Sequence, residues 1–170
     1  MKKIIIGLIV SLGLAGCAEL ERIPLTHKQA NFQYDYKVPD VKKKELWQRA
    51  RGYIVNIFGD SRAVLRVSDE NETVLLGKAL VSWDASWDIG GNTECLNYYK
   101  LRFKAKDGKA RMQLVLLSDG PNTIDKPLIG TTGGCGRPNE DGYNQIKQEF
   151  RALNLGMKKA LSQKSSLDDF

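Results

Sequence analysis

The sequence predicts an α+β domain in the order strand, helix, four strands, helix, with an antiparallel sheet packed against two helices. Three observations carry this prediction. Several runs alternate apolar and polar residues, the mark of a half-buried strand. Two segments, 41–58 and 141–161, place their apolar residues at helical spacing instead. The later strands are separated by short polar turns, which join antiparallel neighbours.

The first strand is Phe32-Gln33-Tyr34-Asp35-Tyr36-Lys37-Val38, with four apolar residues on one face. Pro39-Asp40 ends it, and Asp40 has the chemistry of an N-cap for the helix that follows. In 41–58, Leu46, Trp47, Ala50, Ile54, Ile57 and Phe58 form an apolar stripe, while Lys42, Lys43, Lys44, Arg49 and Arg51 fill much of the remaining surface. Gly59 is a fitting stop. A short strand, 63–67, then leads through the polar turn 68–72 into 73–83, where Leu75, Gly77, Ala79, Val81 and Trp83 share a face.

The stretch 95–105 sets Tyr99, Leu101, Phe103 and Ala105 against Tyr98, Lys100, Arg102 and Lys104. Lys106-Asp107-Gly108-Lys109 turns the chain, Asp-Gly being a favoured hairpin pair, and 110–117 returns. The Lys/Arg row reads as a solvent face that also discourages edge-to-edge aggregation, with an anionic-ligand surface as the functional alternative. Residues 118–139 are rich in Gly, Pro, Thr and Asn and show no period. Gly130 to Gly136 lacks the Gly-Lys-Ser/Thr ending of a phosphate cradle, so no nucleotide site is assigned. The last helix carries Tyr143, Ile146, Phe150, Leu153, Met157 and Leu161 on one stripe, with Gly156 as a point of bending, and 162–170 reads as a frayed tail.

Ahead of the domain, Met1-Lys2-Lys3 is a basic n-region and Ile4 to Leu14 an apolar run too short to cross a bilayer, the make-up of a secretory signal. Its end, Leu14-Ala15-Gly16-Cys17, resembles the lipobox of bacterial lipoproteins, in which the thiol takes a diacylglycerol thioether. The plainer alternative is an ordinary signal with an incidental cysteine. The lipobox resemblance implies a signal peptide at 1–16, a lipidated Cys17, and a membrane held by two or more acyl chains such as palmitate. Ala18 rather than Asp after the cysteine implies the outer membrane. Residues 17–31 read as a lipidated cysteine and flexible tether, and 32–161 as one α+β domain.

Cutting before Cys17 shortens 170 residues to 154 and lowers the net charge from +6 to +4. A surplus of that size suits solubility or weak attraction to anionic headgroups and does not argue for nucleic acid. The remaining cysteines, Cys95 and Cys135, read as one disulfide outside the cytoplasm, with two free thiols as the alternative. The single histidine, His27, falls in the tether without a companion ligand.

Val38-Pro39 before the helix, the helix pattern Leu46-Trp47 to Ile54 and Phe58, the turn Lys106-Asp107-Gly108-Lys109-Ala110-Arg111 and the basic, amphipathic last helix together resemble a family of bacterial proteins of unknown function. Its members, often lipid-anchored, are described as having a fold like the TATA-box-binding protein (TBP). The resemblance spans 32–161 and implies a curved antiparallel sheet gripping a helix; it brings no catalytic residues. The Cys95/Cys135 pair and the long Gly-rich loop depart from the family's pattern in 84–95 and 119–140.

Fold does not imply function, and an envelope protein meets no genome, so nucleic acid is excluded as a partner. The expected role is a non-catalytic module binding a small ligand, lipid or peptide, with docking on an envelope protein as the alternative. No nucleophile–base pair stands in a supporting context, and no cofactor is implied. The candidate ligand rim is a loop at Trp83-Asp84-Ala85-Ser86-Trp87-Asp88, where aromatics and carboxylates alternate. Trp83 reads as core and Trp87 as exposed. Asp84, Asp88 and Glu94 match no known calcium-loop spacing, so no metal is assigned.

Overall fold

The computed structural model describes residues 27–59, 65–87, 91–117 and 138–163, with the side chains of residues 27, 86, 87 and 91–93 excepted. A single helical turn, α1 (His27–Ala30), runs into β1 (Asn31–Lys37), and α2 (Lys43–Phe58) follows. β2 (Leu65–Asp69), β3 (Val74–Trp87), β4 (Gly91–Lys106) and β5 (Lys109–Leu116) come next, and α3 (Glu140–Ser162) closes the described chain. The five strands form a curved antiparallel sheet in the order β1-β5-β4-β3-β2. β2 to β5 are therefore a meander, and β1 joins its far edge beside β5. The connection through α2 carries the chain from one edge of the sheet to the other.

The alternation of each strand decides which face is covered. Leu75, Ala79, Val81, Trp83 and Ala85 of β3, Cys95, Tyr99, Leu101, Phe103 and Ala105 of β4, and Ala110, Met112, Leu114 and Leu116 of β5 are all buried. Their register agrees, with Leu101 opposite both Gly77 and Leu114, and Phe103 opposite both Leu75 and Met112. Against this face lie Leu46, Trp47, Ala50 and Ile54 of α2, and Ile146, Phe150, Met157 and Leu161 of α3. Phe150 packs edge-on to Tyr99 (5.0 Å between centroids) and to Phe32 (4.9 Å), which ties α3 to β4 and β1. Burial in this layer pushes the hydroxyls of Tyr36 and Tyr99 well above the usual tyrosine range. Tyr36 still has a partner, donating to Asn154 Oδ1 at 2.9 Å.

Several expectations change in three dimensions. Asp40 does not cap α2: it adopts a positive φ of 65°, the N-cap is Lys42, and the Lys43 N–H donates to Asp107 Oδ1 of the β4–β5 turn at 2.8 Å. The same turn takes the Val38 N–H on Gly108 O and gives its Gly108 N–H to Val41 O, both at 2.9 Å. A carboxylate at a helix N-terminus serves wherever the fold delivers it, and here it comes from 64 residues away. Arg49, expected on the solvent face of α2, has a side chain only 6% exposed. It donates to Leu161 O at 2.6 Å and pairs with Glu45, so it closes the last turn of α3. Ile57, expected on the buried stripe, is 44% exposed.

α1 replaces the last residues expected to be tether, and Tyr143 Oη donates to Gln29 O at 2.8 Å, fastening it to α3. Gly156 does not interrupt α3, which runs unbroken to Ser162. Its lack of a side chain lets the α2 residue Tyr53 approach, since a Cβ there would stand 2.0 Å from Tyr53 Oη.

Candidate functional site

Residues 83–87 of the expected rim at 83–88 do not form a loop. Trp83 to Trp87 continue β3, paired across to β4 with Trp83 opposite Cys95, Asp84 opposite Glu94 and Trp87 opposite Gly91. The period-2 order Trp-Asp-Ala-Ser-Trp was itself the strand signal, and the ladder supplied by Gly91 to Glu94 satisfies its backbone. Trp83 is 4% exposed, packs its ring on Gly142 in the first turn of α3, and donates its indole N–H to Asn97 Oδ1 at 2.7 Å. It fills the core there. Asp84 is exposed, and its backbone N–H and C=O are both engaged by the Gln145 side chain, at 2.8 and 3.2 Å. The side chain of Trp87 and the whole of Asp88 lie outside the described residues, as do Cys17 and Cys135. Cys95 is fully buried on the inner face. Among the described residues no three His, Cys, Asp or Glu gather into a metal-binding group, and no helix is long and apolar enough to cross a membrane.

Apolar residues line a groove of about 350 Å³ between the two helices, with Tyr53, Phe58, Tyr99 and Phe150 among its walls. The more distinctive surface is the opposite one. The face of β1, β5, β4 and β3 turned away from the helices presents side chains in cross-strand rows. One row is Lys37–Lys109–Lys106, and the next Asp35–Arg111–Lys104–Val74. Gln33–Gln113–Arg102–Leu76 and Asn31–Val115–Lys100–Lys78 follow. Every Lys and Arg in these rows except half-buried Lys78 is exposed. A shallow hollow of about 290 Å³ opens among Asp35, Lys104, Lys106, Lys109 and Arg111.

Charge on this face is not internally balanced. Arg111 grips Asp35 through Nε at 2.6 Å and Nη2 at 3.2 Å, and this hydrogen bonding holds the Asp35 carboxyl below its ordinary range. Lys78 Nζ sits 3.6 Å from the centroid of the Tyr98 ring, a cation–π contact. Among the described residues, Arg111 is the one cation in these rows with an ion-pair partner. Lys37 stands opposite Lys109, Lys109 opposite Lys106, Lys104 opposite Arg111, and Lys78 opposite Lys100. Directly opposed like charges destabilise a sheet by roughly 0.2–1 kcal/mol a pair. Of the remaining acids of this face, Asp84 and Glu94 oppose each other at its far end, and Asp69 of β2 stands opposite Val74 at its edge.

The sheet, α2 and the turn that caps it lie within the match to a family model. Residues 32–118 match the domain of unknown function DUF4468, described as having a TBP-like fold. The chain belongs to the DUF4468 family. A DUF4468 family protein from Bacteroides ovatus ATCC 8483 superposes with a TM-score of 0.55 at 10% identity, over 85% of this chain and 92% of the other. A TBP-like protein from Parabacteroides distasonis ATCC 8503 gives 0.54 at 13% identity, over 84% and 98%. At those identities the likeness shows the fold alone. Among curated proteins none matches the chain. Within the DUF4468 match, the expected motifs Val38-Pro39 and Lys106 to Arg111 prove to be hydrogen-bonded together, the Val38 N–H donating to Gly108 O, while Asp107 takes the Lys43 N–H of α2. The cationic rows were visible as Lys100, Arg102 and Lys104 on one strand; the cross-strand pairing of Lys104 with Arg111 and of Lys100 with Lys78 was not, because register is a property of two strands.

Proposed function

We propose that this DUF4468 protein is a lipoprotein of the cell envelope, held at the outer membrane through acyl chains on Cys17, and that its domain is a non-catalytic binding module working through the open face of the sheet. One observation carries the choice of surface. The inner face is covered by two helices apart from the groove beside Tyr99, while the outer face is exposed and bears a surplus of cations placed opposite one another. A site that recognises anions needs such a surplus; a catalytic site needs a nucleophile or base in context. The Trp83 end offers a ligand no room on the inner face, since the indole is packed against Gly142.

Anchoring is tested by expressing the full chain with an alkyne analogue of palmitate. The wild type is expected to take the label and to yield a mature N-terminal peptide starting at acylated Cys17, and Cys17→Ser to lose both. An unlabelled mature chain cut elsewhere rejects the reading. A Cys95–Cys135 bridge belongs to the same proposal, since the compartment is oxidising and Cys95 is buried beside Trp83 in the ladder. It would close about 40 residues, a constraint of roughly 3–4 kcal/mol in the chain-entropy picture. Thiol labelling of the denatured, unreduced protein is expected to find neither cysteine reactive, and recovery of two labelled thiols refutes the bridge.

A further inference from the structure

We infer that the open sheet face lies on anionic phospholipid headgroups of the membrane in which Cys17 is anchored, so that lipid is the partner of this surface as well as of the cysteine. This deepens the proposed function and rests on it.

The face has the chemistry of a surface that lies down on negative charge. Its cations spread over four strands, and Lys37, Lys78, Lys100 and Arg102 stand outside the hollow lined by Lys104, Lys106, Lys109 and Arg111. A plane of headgroups matches such a spread, whereas a small anion would be met by convergent donors. Between the cations stand Val74, Leu76 and Val115, half-buried, and Leu80, 44% exposed, which tolerate the edge of a headgroup layer. The opposed pairs Lys78–Lys100 and Lys104–Arg111 work against the folded sheet in water, and an anionic plane relieves each of them.

Tether length adds a second argument. From Cys17 to the first residue of α1, His27, the chain advances 10 residues. A chain of that length has a typical coil span of about 17 Å and can never exceed about 36 Å. The domain itself has a radius of gyration of roughly 14 Å. One of its faces is therefore always close to the headgroups, and weak attraction acts at high effective concentration.

The test uses the acylated full-length product reconstituted in vesicles of phosphatidylcholine alone, or of phosphatidylcholine and phosphatidylglycerol in equal parts. A membrane-impermeant amine reagent is applied to both, and labelling of each lysine is read by mass spectrometry. On anionic vesicles Lys100, Lys104, Lys106 and Lys109 are expected to react roughly fivefold more slowly than on neutral ones. Lys43, Lys158 and Lys159, on the helices, should react alike on both. Raising salt from about 0.1 M to about 1 M, which shortens the screening length from about 10 Å to about 3 Å, should remove the protection.

The double variant Lys100→Glu with Lys104→Glu replaces two like-charge pairs by opposite ones, so it should fold at least as stably while losing protection at Lys106 and Lys109. A merely solvated face would gain that stability and show no protection to lose. Acylated protein labelled equally on both vesicles overturns the inference alone. Protection by added polyphosphate on neutral vesicles, without protection on anionic ones, overturns it in favour of a soluble polyanion. A Cys17 peptide without acyl mass sinks the anchoring proposal first, and this one with it.

Discussion

Replacing Phe150 by alanine is expected to destabilise the domain by about 3–5 kcal/mol, the range for truncating a buried aromatic. The upper end applies here. Phe150 is 1% exposed and sits edge-on to both Phe32 and Tyr99, so the change opens a cavity where α3, β4 and β1 meet and removes two aromatic pairs. Whole domains are stable by only about 5–15 kcal/mol, so much of this margin goes in one substitution. Leu155→Ala on the same helix is the control. Leu155 is 65% exposed, and its truncation should stay within about 0.5 kcal/mol. Urea unfolding followed by circular dichroism measures both. Equal midpoints for the two variants would mean that α3 presents a different face to the sheet.

The second large effect is a change of sign between two glycines. Helix propensity alone favours alanine over glycine by about 1 kcal/mol in a helix interior. Gly52→Ala, in α2 with nothing within 4 Å of the added Cβ, should gain close to that amount. Gly142→Ala should instead lose about 1–3 kcal/mol, because its Cβ would stand 2.2 Å from Cε3 of the Trp83 ring. That ring cannot yield easily, being 4% exposed and fixed by its hydrogen bond to Asn97. Overpacking therefore outweighs propensity at 142 and is absent at 52. Combining Gly142→Ala with Trp83→Leu supplies the decisive cycle. If the clash is the cause, the pair is strongly non-additive and most of the Gly142→Ala loss disappears. Additive losses would place the role of Gly142 elsewhere.

Much of the architecture was readable because it is written locally. The two faces of β4 follow from Tyr99, Leu101, Phe103 and Ala105 alternating with Tyr98, Lys100, Arg102 and Lys104, and the buried stripe of α3 from Ile146, Phe150, Met157 and Leu161. The Asp107-Gly108 turn was legible for the same reason, Gly108 taking the positive φ of 74° that favours glycine. The 83–87 segment was misread where a local cue misled: aspartates and a serine suggested a loop, yet the alternation continued, and Gly91 to Glu94 stood ready to complete the ladder.

Arg49 shows the other kind of limit. Its position on the helical wheel predicts solvent, but the Leu161 carbonyl in the last turn of α3 lies within its reach, and the guanidinium satisfies it. Gly142 and Gly156 belong with it, since nothing near them in the chain announces Trp83 or Tyr53.

By itself, then, the sequence determined the succession of strand, helix, four strands and helix, and the face each element buries, because periodicity is set by neighbours two to four residues apart. Only the tertiary structure decided that β1 pairs with β5, that Asp107 caps α2 from across the fold, and that lysines of separate strands face one another on the open side. Those pairings depend on strand order and register, which arise when distant segments compete to bury one common apolar face and no local pattern ranks the competitors.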